Sequence, residues 1–143
     1  MAGIVVDSRV LIDHLRGGAK ATDFLERERR QGPVHVPALV AWELWKGATN
    51  ARRKAGVHDF LSSVDVDPFG PAMAQLAGEL HVRLTGSGKV PPAYDLLIAS
   101  HALLRGLPLA MRDRDYSTIP GLQVVTVDYR KHSPGVHVPR SAP

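Results

Sequence analysis

Residues 3–15 read GIVVDSRVLIDHL. The β-branched run Ile4-Val5-Val6 suits an extended, buried segment, and it ends on a carboxylate, Asp7. From Ser8 the spacing changes, and Val10, Leu11 and Leu15 fall on one face of a helix that Gly17-Gly18 closes. The alternation then repeats. Residues 19–30 form an amphipathic helix with Ala21, Phe24 and Leu25 inward, stopped by Gly32-Pro33. A second strand follows at 34–36, and Pro37 opens a helix to about Ala48. Beyond the basic patch Arg52-Arg53-Lys54 lie a short helix to Leu61, a half-exposed strand at 64–67 and a long helix over 71–84. A strongly apolar helix at 93–104, ended by Gly106, precedes strands at 107–111 and 122–127. Strands separated by helices predict an α/β fold with a parallel sheet covered on both faces. In such sheets functional groups gather beyond the carboxyl ends of the strands.

The 143 residues suffice for one domain with its own core, and 44% apolar content argues against disorder. Residues 1–130 are expected to form that domain, with 131–143 a C-terminal tail that has little to pack. The absence of cysteine excludes disulfides and thiolate metal sites. No apolar run reaches membrane-spanning length and the first residues lack a signal-peptide layout, so a cytoplasmic protein is expected, without a membrane partner. Eighteen Lys and Arg against fourteen Asp and Glu give a net charge of +4, compatible with an anionic partner.

Against that basic background, acids stand at informative places. Asp7 ends the first strand, where it either caps the following helix or is left free while Ser8 caps it. Glu43 lies between Trp42 and Trp45 on a mainly apolar helix, facing solvent with Lys46, a partner or a metal. Gly47, one turn on, marks a close approach by another group. Asp95 opens the apolar helix, where the helix dipole keeps it ionised. Asp113 and Asp115 follow the 107–111 strand in the turn RDRDY. Hard oxygen donors of this kind suit Mg²⁺ or Mn²⁺. Rival motifs fail. A calcium loop counted from Asp113 has Thr118 in place of its glycine, and TGSGKV at 85–90 has Arg83 and Val90 where a phosphate loop needs Gly and Ser/Thr. The seven histidines form no metal-binding repeat.

IVVDSRVLIDHLRG, VPALVAWELWKGA, YDLLIASHALLRGLPLAMRDRDY and IPGLQVV, in this order, resemble the PIN-domain ribonucleases, and more narrowly the VapC-type toxins of bacterial toxin–antitoxin pairs. The resemblance implies a three-layer α/β/α sandwich around a mainly parallel sheet of four or five strands. It carries the family's acidic quartet onto Asp7, Glu43, Asp95 and the Asp113/Asp115 pair, with Asp113 the closer match. Met111 and Arg9 depart from the family, which often has a hydroxyl and a small polar residue there.

The activity implied is Mg²⁺-dependent cleavage of RNA, with Mn²⁺ as a substitute. Asp7 and Asp95 would be the principal metal ligands, completed by Glu43 and Asp113. Arg9, Arg112 and Arg114 would either contact flanking phosphates or pair with the neighbouring acids. A cognate antitoxin, docking on the helices at 19–30 and 37–48, and a homodimer are also implied. The competing expectation is a PIN-like module that binds RNA or protein without cleaving it.

Overall fold

The computed structural model describes residues 3–127. The tail expected at 131–143, and the domain boundary drawn before it, lie outside the described residues. Among them five strands and six helices follow one another as β1 (Ile4–Val6), α1 (Ser8–Leu15), α2 (Ala19–Gln31), β2 (Val34–Pro37), α3 (Ala38–Lys46), α4 (Ala51–Leu61), β3 (Asp65–Asp67), α5 (Pro71–Ser87), α6 (Ala93–Arg105), β4 (Leu109–Met111) and β5 (Val124–Thr126). The strands form a single sheet in the order β3-β2-β1-β4-β5. Every pairing is parallel, with Ile4 opposite Val34, Val5 opposite Leu109 and Ala110 opposite Val125.

The chain steps from β1 to β2 to β3 in one direction, then crosses back beneath β1 to β4 and β5. Because parallel crossovers are right-handed, that reversal places α5 and α6 on the opposite face from the helices between β1 and β3. Three layers result. Strands buried on both sides must be apolar throughout, and β1 and β4 are fully buried as IVV and LAM. Phe24, Leu11, Ile98 and Leu25 fill the two interlayer cores around them.

The expected elements are present with small shifts at their ends. The largest concerns the basic patch, which lies within α4 and not ahead of it. Asn50 caps this helix by accepting from the Arg53 backbone N–H at 2.9 Å. Gly47, expected to mark a close approach, is the C-cap of α3, and a Cβ there would meet only ordinary contacts at 3.7 Å. Gly106 has the role expected of it. With φ +65 it ends α6 and returns the chain to β4.

One polar cluster lies inside. Asp67 at the end of β3 is buried, and its Oδ2 is 3.0 Å from both His35 Nδ1 on β2 and His101 Nε2 on α6. Its Oδ1 takes Arg105 Nη2 at 2.7 Å. The carboxylate thereby ties the edge strand to its neighbour and to the helix covering both. Burial lowers the pKa of His101, against the pull of Asp67 and with a further push from Arg105 and His35. The sign follows from linkage. A histidine whose folded pKa is depressed binds its proton more readily when unfolded, so its contribution to stability is lost as pH falls below about 6.5. The unfolding free energy of the native protein is therefore expected to decline between pH 7.5 and 5.5. In His101→Gln, which keeps a donor but cannot charge, chemical denaturation should show a shallower decline. His14, also lowered by burial, is common to both proteins and cancels in the difference.

Candidate metal-binding and nuclease site

The sheet order reverses between β1 and β4, and a crevice for ligands opens at such a switch point. Asp7 leaves β1 there, and the turn RDRDY leaves β4 beside it. Asp7 is fully buried and its backbone N–H donates to Ala110 O at 2.9 Å, which locks it to the end of β4. Its extended backbone makes it, and not Ser8, the N-cap of α1. Ser8 has already entered the helix, and its N–H donates to Asp7 Oδ1 at 2.6 Å. The other oxygen faces the turn. Tyr116 Oη donates to Asp7 Oδ2 at 2.9 Å, and Arg114 Nε lies 3.2 Å from the same atom.

Arg114 also donates from Nη1 to Asp95 Oδ1 at 2.8 Å. Asp95 sits buried in the first turn of α6. One guanidinium thus joins the two carboxylates expected to be principal metal ligands. Burial raises the pKa of Asp95; Arg114 opposes this, while the charges of Asp7 and Glu43 add to it. Burial works against the charge on Arg114, but Asp7, Asp95 and Glu43 outweigh it, so the net shift is upward and the side chain is held as a cation. Glu43, half-buried on α3, is therefore close enough for its charge to act on both.

Two tyrosines line this acidic pocket, and neither stood out in the sequence. Tyr116 is buried, and Tyr94 is partly buried beneath Arg114, whose guanidinium carbon lies 5.5 Å from the ring centroid. Both phenols are pushed above their ordinary range, first by burial and then by the charge of Asp7. Tyr94 Oη faces Ser8 and Glu43 without a well-formed hydrogen bond to either. A buried phenol needs a polar partner, and for an aromatic placed just beyond a cluster of acids that need was the available signal.

The remaining expected residues are engaged differently. Asp113 is exposed, adopts φ 58 and accepts from Arg112 Nη1 at 2.7 Å. Asp115 is exposed and accepts from the Ser117 backbone N–H at 2.9 Å, and its pKa is lowered by the Ser117 hydrogen bonds. Arg112 also reaches across to Asp13 at 2.8 Å. Of the three arginines, Arg112 and Arg114 take the pairing alternative and Arg9 is solvent-exposed. Among the described residues no three carboxylate or imidazole side chains form a closed metal site.

The PIN-domain profile matches residues 4–122, and Ribonuclease VapC10 of Mycobacterium tuberculosis is 37% identical over 107 residues, spanning 75% of this chain and 80% of that protein. The chain is a PIN domain of the VapC family. A second relative, the tRNA(fMet)-specific endonuclease VapC of Shigella flexneri, is 30% identical over 105 residues, spanning 68% of this chain and 80% of the relative. Among solved structures, VapBC2 of Rickettsia felis bound to a promoter DNA fragment superposes with a TM-score of 0.78 at 20% identity, covering 87% of this chain and 98% of that one. The DNA-bound VapBC of Salmonella typhimurium gives 0.75 at 22%, with 88% and 98% covered. At those identities the structures establish the three-layer PIN fold. Among the described residues no helix is long and apolar enough to cross a membrane.

Proposed function

We propose that this PIN domain is a divalent-metal-dependent endoribonuclease of the toxin class, held inactive by a cognate antitoxin in the cytoplasm. The observation that carries the reading is the approach of Asp7 and Asp95, from β1 and α6, to a single cation at the switch point. That pair already compensates one positive charge, and its donors are hard oxygens suited to Mg²⁺ or Mn²⁺. Asp7 and Asp95 would hold the ion, with Glu43 beside them and Asp113 or Asp115 brought in by the turn. Bound there, the ion would lower the pKa of a water and offset charge developing on the phosphate.

The protein's own groups do the rest. Asp7 Oδ1 is fixed by the Ser8 amide, so Oδ2 is the oxygen left to face the reaction. Tyr116 holds that oxygen in place and stays protonated throughout the working pH range. Glu43 supplies a carboxylate that can orient a water. Exposed Arg9, two residues beyond Asp7, would meet an RNA phosphate.

The antitoxin reading draws on the VapBC complexes among the structural neighbours and on α3. Trp42 and Trp45 on this helix are 54% and 43% exposed, an apolar surface on the element that carries Glu43. A homodimer remains part of the proposal. The test is incubation of the purified chain with a mixed RNA pool. Cleavage is expected with Mg²⁺ and none with EDTA, and addition of Mn²⁺ to the chelated sample should restore it. Equal cleavage in EDTA would reject the metal-dependent mechanism, and no cleavage under any condition would leave a binding module in its place.

A further inference from the structure

We infer that Arg114 is a displaceable occupant of the metal position: the chain's own guanidinium and a divalent ion compete for Asp7 Oδ2 and Asp95 Oδ1. The inference rests on the proposed metal-dependent nuclease and goes beyond it by assigning this residue a role in admitting the ion.

Competition follows from which oxygens are free. Asp7 Oδ1 is committed to the Ser8 amide at 2.6 Å, which leaves Oδ2, where Tyr116 Oη also donates at 2.9 Å, as the oxygen that meets Arg114. Arg114 Nε is 3.2 Å from that Oδ2, and Arg114 Nη1 is 2.8 Å from Asp95 Oδ1. A Mg²⁺ ion draws its oxygens to about 2.1 Å, so it cannot share the two carboxylates with a guanidinium lying between them. Charge adds to this, because a guanidinium and a divalent ion held at one position repel each other.

The occupant is also held in a way that permits exit. Its contact with Asp7 is an ion pair without hydrogen-bond alignment, and Nε is buried with no hydrogen-bond partner. About a quarter of the side chain remains exposed, at 24%. It projects from a turn between two exposed residues, Asp113 and Asp115, and not from the sheet. Departure therefore breaks one good charge-assisted hydrogen bond, to Asp95, the unaligned ion pair with Asp7 and a cation–π contact with Tyr94.

Metal binding to the full chain tests this without reference to catalysis. Titration calorimetry with Mn²⁺ should show Arg114→Gln binding about tenfold more tightly than the native protein, the worth of one charge-assisted hydrogen bond that need not be broken. Asp95→Asn should bind more weakly than either. In the native protein, the Arg114 Nε–H signal in ¹⁵N-labelled samples should move and lose its protection from solvent exchange as Mg²⁺ is added. This arm needs no folded variant. Unchanged or weaker Mn²⁺ binding by Arg114→Gln, or an Nε–H signal unmoved at saturating Mg²⁺, overturns the exchange while leaving the metal site intact. Failure of both the native protein and Arg114→Gln to bind Mn²⁺ overturns the metal reading itself, and the inference with it.

Discussion

Asp7→Asn is expected to reduce RNA cleavage by roughly a thousandfold or more, the scale on which loss of an essential charged group is felt. The substitution removes half of the pair that receives the cation and supplies no charge in return. It is also poorly accommodated in the fold. The groups around the Asp7 carboxylate are donors: the Ser8 amide, the Tyr116 hydroxyl and the Arg114 guanidinium. An asparagine must point its NH₂ at one of them, and only a hydroxyl can turn to accept it. A stability loss of about 1–3 kcal/mol is expected from the misplaced donor and the weakened partner of Arg114. Cleavage should therefore be compared at equal amounts of folded protein, verified by circular dichroism. Native-like cleavage by a folded Asp7→Asn would remove Asp7 from the site.

The second large effect is on stability alone. Asp67→Ala should lower the unfolding free energy by about 3 kcal/mol, in the range for breaking a buried ion pair on one side. His35 and His101 lose a shared acceptor, and Arg105 loses its carboxylate. The side chain of Arg105 is 37% exposed and can regain water, which keeps the figure at the lower end. Asp65, two residues earlier on β3 and exposed, is the natural control, with an expected change within about 0.5 kcal/mol. Urea denaturation of the two variants side by side is the measurement. Equal losses would show that the Asp67 cluster carries no special weight.

Much of this architecture was legible because its cause is local. Strands buried on both faces must be apolar throughout, so IVV and LAM declare themselves, and a charge that ends such a run marks the sheet's carboxyl edge. Asp7 stands out for that reason, and Asp95 as the acid in the first turn of an apolar helix. Their partners were not, because partnership is set by topology. Tyr116 meets Asp7 across 109 positions of sequence, and Arg114 meets Asp95 across 19. Nothing local to Arg114 distinguishes an arginine that turns inward from Arg9, which stays in solvent. The start of α4 was misplaced for a related reason. Cations in the first turn oppose the helix dipole, which argues for a later start, and the Asn50 cap outweighs them.

The turn after β4 has a consequence for how this gene can change. Arg112, Arg114 and Tyr116 are directed toward the protein, while Asp113 and Asp115 between them point outward. Point changes at the two outward positions leave that alternation as it is. A one-codon insertion or deletion between Met111 and Arg114 would do something different, because it inverts the phase. Carboxylates would be delivered to the pocket of Asp7 and Asp95, and the guanidinium and phenol that hold Asp7 would be carried into solvent. The length of this short segment should therefore be kept more strictly than its spelling.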